Sequence, residues 1–363
     1  MTRFPRSPVM IMAGGTGGHV FPALAVAERL RLRDVPVVWM GTRQGLEARL
    51  VPQTGIPMAW VSVTGMRGVG IKRLLTAPFI ITMALFQAAV ILLRCRPGLA
   101  LGMGGFVSGP GGLMARCLHI PLVVHEQNAL AGMTNRWLSR VANGVLEGFP
   151  DTFPPARRAL LVGNPVRASI TALASPDQRF AARTGPPRLL VVGGSQGALA
   201  LNQLVPRALA LLEPAERPQV WHQAGGLMQE SAASAYREAD VEARLEPFIA
   251  DMAEAYGWAD LVLCRAGALT VAELAAVGVG AVLVPYPYAV DDHQTANARF
   301  LERGRAALVV QQSALTAETL AELLGDLLRD RARLLTMAEA ARRLARVDAA
   351  EQVAVQCLQH KRG

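Results

Sequence analysis

The sequence contains very little lysine and few charged residues for its length. Of its 363 residues 37 are lysine or arginine, but lysine occurs only at positions 72 and 361. The phosphate-binding loop of P-loop nucleotidases needs a lysine directly after a glycine. Neither lysine follows one, so this class of enzyme is excluded. Charged residues make up 18% and apolar residues 52% of the chain, which excludes a disordered or fibrous protein and indicates a globular one.

The sequence also lacks the usual patterns of a metal site. Its four cysteines, Cys95, Cys117, Cys264 and Cys357, are far apart without C-x-x-C spacing, which argues against a zinc site or disulfide framework and favours a reducing, cytoplasmic compartment. No D-x-D occurs, so the adjacent acidic pair at 291–292 is not expected to bind a metal. The first apolar run is too short for a secretory signal. We expect no cofactor and no export.

A repeated α/β pattern dominates what the sequence does contain. A strand at 9–13 leads into a glycine loop and a helix, and the same opening recurs from 188, so G-G-[TS]-x-G stands at 14 and again at 193. The other strand-like runs are 35–40, 58–63, 99–101, 120–124, 144–146, 219–223, 260–264, 280–285 and 306–310. This alternation predicts two doubly wound parallel-sheet domains. We place them at 1–164 and 165–344, with a hinge near 163–165 and the active site in the cleft between them.

The glycine loops fit phosphate binding better than dinucleotide binding. At the first loop Val20 takes the last glycine position of G-x-G-x-x-G, and no acidic residue closes the second strand, which argues against a NAD-dependent dehydrogenase. A glycine turn at a helix N-terminus does present N–H groups to a diphosphate. A third stretch, 102–112, is too rich in glycine for an ordinary helix entry, so we expect its backbone to approach a ligand. Each loop could also be only a tight strand-to-helix turn.

Polar residues follow several strands at the edge where open α/β sheets bind ligands. His19 comes directly after the first loop, and the four polar residues 125–128 follow a strand and are not expected in the core. In the second half Thr270 is a candidate helix N-cap. Glu273 is either a capping-box carboxylate or a binding group. These residues are the candidates for catalysis and substrate binding.

These segments resemble the MurG family of bacterial glycosyltransferases, which add N-acetylglucosamine to the lipid-linked precursor of the cell wall. The resemblance is nearly full length and is carried by 14–27, 102–112, 125–128, 163–167, 191–198, 265–273 and Gln294 with Asn297. It implies a GT-B fold of two Rossmann-like domains facing a central cleft, with a C-terminal helix over about 345–363 packed on the first domain. The implied donor is UDP-N-acetylglucosamine. The implied acceptor is lipid I, undecaprenyl-diphosphate-linked N-acetylmuramoyl pentapeptide, which becomes lipid II with inversion at the anomeric carbon during peptidoglycan synthesis.

The resemblance also implies roles for individual residues. The implied donor contacts are Thr16, Gly17, Gly18, Asn128, Arg167, Ser195, Gln196, Ile249, Ala268, Leu269, Thr270, Val271, Ala272, Glu273 and Gln294. Among them, Ser195 and the N–H groups of its loop would hold the diphosphate, and Arg167 would supply positive charge as UDP leaves, without a metal. Glu273 would bind the ribose, and the backbone near Ile249 would bind the uracil. His19 is the first candidate for the base that takes the acceptor proton, and Glu126 is the second. The acceptor diphosphate would lie against Gly104, Gly105 and Ser108.

One uncharged segment, 74–93, allows three interpretations. By length it could cross a membrane, lie in the core, or lie on a membrane surface. The cations beside it, Lys72 and Arg73, together with Leu75 and Phe79, favour peripheral docking on the anionic cytoplasmic face of the inner membrane. The remaining partners would be other cell-wall synthesis enzymes, and no nucleic acid. Alternative functions are another GT-B UDP-sugar enzyme, such as a glycolipid synthase or UDP-N-acetylglucosamine 2-epimerase, and a non-catalytic UDP-sugar-binding membrane module.

Overall fold

A computed structural model describes residues 4–62, 71–194 and 197–362, with side chains from 78 onward in the second range. The chain forms two compact units, one of residues 1–167 and 346–363 and the other of residues 168–345. Each unit is an α/β domain with its own parallel sheet. The two are described separately below.

In its described residues the first unit has a seven-stranded sheet, and its elements follow the alternation predicted from the sequence. They are β1 (Val9–Met12), α1 (Gly17–Arg31), β2 (Val37–Gly41), α2 (Glu47–Leu50), β3 (Met58–Trp60), α3 (Ile71–Cys95), β4 (Leu99–Gly102), α4 (Ser108–Cys117), β5 (Leu122–Glu126), α5 (Met133–Leu138), β6 (Gly144–Glu147) and β7 (Leu160–Leu161). The strand order is β3-β2-β1-β4-β5-β6-β7, and every pair is parallel. The order reverses between β1 and β4, so the first and third glycine stretches leave the sheet at the same switch point.

The second unit contains six strands with the same design. Its elements are α6 (Ala168–Thr171), α7 (Pro176–Ala181), β8 (Arg188–Val192), α8 (Leu199–Ala210), β9 (Gln219–Gln223), α9 (Gln229–Glu238), β10 (Arg244–Glu246), α10 (Met252–Trp258), β11 (Leu261–Cys264), α11 (Ala268–Val277), β12 (Gly280–Leu283), α12 (His293–Arg303), β13 (Ala307–Val309), α13 (Ala317–Leu328) and α14 (Arg331–Leu344). The strand order is β10-β9-β8-β11-β12-β13, again all parallel. Its switch point lies between β8 and β11. The two doubly wound parallel sheets confirm the predicted fold class.

The last helix, α15 (Ala349–His360), packs in the first unit rather than the second. Val353, Ala354 and Cys357 on this helix are completely buried in one apolar cluster with Val26 and Leu30 of α1. The central strands are buried on both faces, which explains why they read in the sequence as continuous apolar runs rather than as alternating patterns. The chain therefore leaves the first unit after residue 167 and returns to it at residue 346.

The third glycine stretch is partly helical, contrary to the prediction that it is no ordinary helix entry. α4 begins at Ser108 and includes the last five residues of the stretch expected to approach a ligand. A Cβ on Gly111 would collide with Met12 of the sheet, and one on Gly112 would lie 2.8 Å from Leu138 of α5. These two glycines therefore let α4 pack closely against its neighbours. Another local prediction was wrong as well, because the N-cap of α11 is Gly267 and Thr270 lies within the helix.

The predicted apolar segment forms the long helix α3, which is only partly covered by the domain. Its inner face places Ala84, Ala88 and Leu92 in the core, whereas Phe79 is 70% and Phe86 66% exposed. The stretch Pro78–Cys95 has the length and apolar composition to cross a bilayer, although 22% of it is buried within the domain. The helix thus combines a core face with an apolar outer face. The side chains of Lys72, Arg73 and Leu75 lie outside the described residues.

Candidate functional site

His19 lies at the switch point of the first sheet, in the first turn of α1. Its Nδ1 is 3.5 Å from Oγ1 of Thr16, the extended N-cap residue of that helix. The third glycine stretch passes directly over the imidazole, since a Cβ on Gly104 would lie 2.6 Å from His19 Cδ2 and 3.4 Å from Gln127 Oε1. Gly105 packs just as closely on the backbone of Gly14. Three motifs that are remote in sequence therefore meet around His19.

A buried carboxylate that the sequence analysis missed holds the first glycine loop. Glu47 accepts hydrogen bonds from the backbone N–H of Gly15 (2.9 Å), and from the backbone N–H (2.9 Å) and hydroxyl (2.8 Å) of Thr42. Its side chain also fills the space that substituents on Gly14 and Gly45 would need. No sequence pattern marks Glu47, because its partners come from two separate loops. Gly17 and Gly18 continue from this loop into α1.

The polar segment 125–128 is mostly core, which corrects the expectation that these residues would be exposed. His125, Glu126 and Gln127 are all at least 98% buried. The His125 Nε2 donates to the Gly163 carbonyl (2.9 Å), and its Nδ1 accepts from Gln127 Nε2 (3.0 Å). Burial lowers the pKa of His125 to about 4, so the ring is neutral at physiological pH. The imidazole nitrogens of His125, the Gln127 amide nitrogen and the Glu126 carboxylate all have hydrogen-bond partners, which allows the segment to be internal.

Glu126 is fully engaged in holding the loop that follows β5. Its Oε1 accepts from the backbone N–H (2.9 Å) and the side-chain amide (3.1 Å) of Asn128. Its Oε2 accepts from the backbone N–H of Gly132 (3.1 Å) and from Asn135 Nδ2 (2.9 Å). A carboxylate with four donors is poorly suited to accept a substrate proton. The arrangement instead orients Asn128, one of the predicted donor contacts.

Two further predicted residues of the first unit have local contacts. Ser108 is buried, with its Oγ 2.8 Å from the Met12 carbonyl and 2.7 Å from the Gly104 carbonyl, so its hydroxyl supports the glycine stretch rather than facing outward. The Arg167 guanidinium lies 5.3 Å from the ring centroid of Phe21, a cation–π arrangement. Both residues of this pair line a cavity of about 610 Å³ beside α1.

In the second unit the donor-type motifs surround the switch point between β8 and β11. Ser195 and Gln196 lie outside the described residues, but the flanking Gly194 and Gly197 adopt the left-handed φ values +84° and +76°. The next β-strand ends at Gln223, whose amide contacts both this glycine loop and the backbone N–H of Ile249. Gln223 belongs to none of the motifs predicted from the sequence. The loop and the predicted uracil-reading segment are thus joined by one side chain.

The motif 268–273 forms the start of α11 at the same switch point. Ala268, Val271 and Glu273 are buried, whereas Leu269, Thr270 and Ala272 are partly exposed. The Glu273 Oε2 accepts a hydrogen bond from Tyr256 Oη (3.1 Å), so the carboxylate is fixed from behind by α10. Fixing one oxygen orients the group before a ligand arrives.

Gln294, in the first turn of α12, is oriented by backbone contacts. Its Oε1 accepts from the N–H groups of Ala266 (3.2 Å) and Tyr286 (2.9 Å), which leaves the amide nitrogen as the donor end. Asn297 donates to the Ala266 carbonyl (3.2 Å) and secures the same turn. Within the described residues, no group of three or more His, Cys, Asp or Glu side chains could hold a metal ion.

Both halves of the chain match models of one enzyme family. The glycosyltransferase family 28 N-terminal domain matches residues 9–147, and the family 28 C-terminal domain matches residues 188–353. The chain is 58% identical over 97% of its length to a protein of Nitrosococcus oceani, of which 98% is covered. It is 54% identical to a Marinobacter nauticus protein, with both chains fully covered. Each relative is a UDP-N-acetylglucosamine–N-acetylmuramyl-(pentapeptide) pyrophosphoryl-undecaprenol N-acetylglucosamine transferase.

Solved structures give the same result for the fold. The crystal structure of Acinetobacter baumannii MurG is similar, with a TM-score of 0.83 and 44% sequence identity over 97% of this chain and 99% of that one. The calicheamicin glycosyltransferase CalG4 has a TM-score of 0.68 at 16% identity, over 98% of both chains, and shares the fold alone. The GT-B class predicted from the sequence is confirmed.

Proposed function

Because this chain belongs to glycosyltransferase family 28, with the N-acetylglucosamine transferases of peptidoglycan synthesis among its relatives, we propose that it transfers N-acetylglucosamine from UDP-N-acetylglucosamine to lipid I. The acceptor atom is the 4-hydroxyl of the N-acetylmuramoyl sugar, and the product is lipid II. The observation that carries the proposal is the 58% identity over 97% of the chain. The placement of both motif sets at the switch points of their own sheets supports it.

The second unit binds the donor in this proposal. The N-terminus of α11 and the glycine loop before α8 meet at one switch point, where helix N-termini and backbone N–H groups stabilise a diphosphate. The carboxylate of Glu273, held by Tyr256, accepts from the ribose hydroxyls. Gln294, whose oxygen is bound to backbone, donates its amide protons to the sugar. The positive charge that stabilises UDP as it leaves comes from Arg167, the residue at which the chain leaves the first unit.

The first unit binds the acceptor and supplies the base. His19 removes the proton of the 4-hydroxyl while the oxygen attacks the anomeric carbon and the bond to UDP breaks, which inverts that carbon in one step. The loop containing Gly104 and Gly105 brings backbone next to the imidazole, where the acceptor's diphosphate would bind. Glu126 is the weaker candidate for the base because its four hydrogen bonds already occupy both oxygens.

The outer surface of the first unit supports docking on a membrane. Phe79, Met83 and Phe86 project from α3, and Met133 and Trp137 are exposed on α5. Helices α3 and α5 both pack on α4, so these side chains belong to one side of the sheet. The guanidinium of Arg140 lies 4.2 Å from the centroid of the Trp137 ring. Exposed apolar groups beside cations favour an anionic bilayer, which fits peripheral attachment to the cytoplasmic leaflet where lipid I and other cell-wall enzymes reside.

A transfer assay tests the proposal directly. Purified protein is incubated with radiolabelled UDP-N-acetylglucosamine and lipid I in anionic vesicles, with a chelator present, and the labelled products are separated. We expect label in lipid II and stoichiometric release of UDP. Conversion of the donor to its 2-epimer without acceptor, transfer only to other glycolipids, or donor binding without turnover would each contradict the proposal.

A further inference from the structure

Each glycine loop is anchored by a buried side chain of its own unit. This side chain is a hydrogen-bond acceptor in the first unit and a hydrogen-bond donor in the second. In the first loop Gly15 donates its N–H to the Glu47 carboxylate (2.9 Å). At the equivalent position of the second loop, the Gly194 carbonyl accepts from the Gln223 amide (3.0 Å). Both glycines have left-handed φ values, +94° and +84° respectively. The same sequence pattern, G-G-[TS]-x-G, is therefore anchored by its N–H in one unit and by its carbonyl in the other.

This difference in anchoring changes what each loop can bind. In the first loop an N–H points inward to a carboxylate, and that buried negative charge opposes a second anion at the same turn. In the second loop a carbonyl points inward to a neutral amide. The buried donor fixes the Gly194 carbonyl without bringing a charge to the loop. Of the two arrangements, only the second has a neutral anchor, which favours a diphosphate there.

The oxygen of the Gln223 amide holds the backbone segment around Ile249, which is expected to contact the uracil. Its Oε1 accepts from the backbone N–H of Ile249 (2.9 Å), and the side chain is only 3% exposed. The next residue, Ala224, accepts from Asn202 Nδ2 (2.9 Å) and packs on Gly197 so closely that no side chain would fit there. The end of β9 therefore fixes both the glycine loop and the Ile249 segment.

We propose that Gln223 is a positioning residue of the donor site. Its buried amide orients the Gly194 carbonyl and the Ile249 N–H at the same time. The side chain thereby sets the distance between the diphosphate contacts and the uracil contacts. Glu47 places a carboxylate behind the first loop, whereas the anchor of the second loop is neutral. This inference rests on the proposed function of the second unit. Gln223 itself touches no reacting atom.

The substitution Gln223→Glu separates the two contacts of this side chain. The variant retains an acceptor for Ile249, but at pH 8 it places a carboxylate against the Gly194 carbonyl in place of a donor. We expect UDP-N-acetylglucosamine, titrated calorimetrically, to bind about tenfold or more weakly. At pH 6 the new carboxyl group gains protons, because burial against a carbonyl favours its neutral form, and it can donate again. Affinity should therefore recover on acidification, while wild-type affinity stays nearly constant.

Other titratable groups near this position are common to both proteins. Glu246 of β10 lies opposite Gln223 in the sheet and pairs with Arg244 (2.7 Å), while Asp251 caps α10 beyond Ile249. His222 precedes Gln223 on the opposite face of the strand, where burial lowers its pKa to about 3. Because wild type and variant share these groups, the difference between their two pH curves reports residue 223 alone.

Two further variants complete the experiment. Tyr236→Phe removes the buried hydrogen bond to His222 Nδ1 (3.0 Å) one residue away, without contact to either loop, and should bind the donor normally. Gln223→Met keeps the length of the side chain without polar atoms, and its weaker binding should not depend on pH. Wild-type affinity in both Gln223 variants, or a loss in Gln223→Glu that persists at pH 6, would overturn the inference. Failure of the wild-type protein itself to bind UDP-N-acetylglucosamine would instead contradict the proposed function.

Discussion

The imidazole of His19 occupies the space that a side chain on residue 104 would need. A Cβ on Gly104 would lie 2.6 Å from His19 Cδ2 and 2.8 Å from its Nε2. The backbone at Gly104 also has a φ of +91°, which disfavours other residues. The placement of the proposed base thus depends on a glycine 85 positions away in the chain, and this contact leads to the first prediction.

Gly104→Ala should lower kcat by displacing the His19 ring. A catalytic group moved by about 1 Å can lose on the order of 10²-fold in rate, so a loss of that size is expected with little change in donor KM. The matched control is Gly185→Ala, which has a similar φ of +78° but no atom within 4 Å of the new Cβ. Steady-state kinetics of the two variants check the prediction. An equal loss of kcat in both variants would show that backbone strain alone is responsible.

Glu126→Gln should destabilise the protein more than it impairs proton transfer. The substitution replaces one carboxylate oxygen by an NH₂ group that faces N–H donors from Asn128, or from Gly132 and Asn135. We expect a loss of about 2 kcal/mol in the free energy of unfolding, measured by urea denaturation. Activity at low temperature should stay within about tenfold of wild type, below the minimum loss expected for a general base. A loss of activity greater than about 10²-fold with an unchanged free energy of unfolding would instead identify Glu126 as the base.

The two buried histidines should make the protein less stable in acid. Burial lowers the pKa of His125 to about 4 and of His222 to about 3, from an ordinary value of 6.5. Below pH 6.5 the unfolded chain therefore binds more protons than the native one. The free energy of unfolding consequently decreases as the pH is lowered, until the pH reaches the folded-state pKa. Each ring contributes a slope of up to about 1.4 kcal/mol per pH unit. Removing one ring by His222→Gln should reduce the measured slope between pH 6 and 4.5 by about this amount, whereas an unchanged slope would exclude the effect.

Phe79→Ser combined with Phe86→Ser should weaken binding to anionic vesicles. The two rings are 70% and 66% exposed on α3, and each contributes up to about 1.5–3 kcal/mol when fully buried, so even partial insertion predicts at least about a tenfold loss. Leu211→Ser combined with Leu227→Ser removes exposed apolar groups from the second unit and serves as the control. Cosedimentation at several salt concentrations measures both. Equal binding by the two double variants would place the membrane surface elsewhere.

The parts of the fold that were predictable from sequence are those with strong local patterns. The strands Arg188–Val192 and Gln219–Gln223 were predicted residue for residue, because both follow clear turns and have apolar residues at their centres. The strands β7 and β10 were missed. β7 has only two residues, and β10 is a polar edge strand that carries no apolar run. Local pattern therefore located the sheets but not all of their edges.

The site was less accessible to sequence reasoning because its support is long-range. The segment 125–128 was expected to be exposed, yet three of its residues are buried, because the fold supplies hydrogen-bond partners such as the Gly163 carbonyl for His125 and Asn135 for Glu126. Glu47 and Gln223 were not singled out for the same reason. Neither belongs to a recognisable motif, and only the fold brings it to a glycine loop.

The central claim, transfer to lipid I with His19 as the base, is tested most directly by the turnover of His19→Ala beside wild type. Lipid II formation is measured with saturating donor and acceptor, and UDP-N-acetylglucosamine affinity is measured calorimetrically on the same preparations. The account predicts a kcat lower by about 10²–10⁴-fold with donor affinity unchanged. Near-normal lipid II formation by His19→Ala would contradict it.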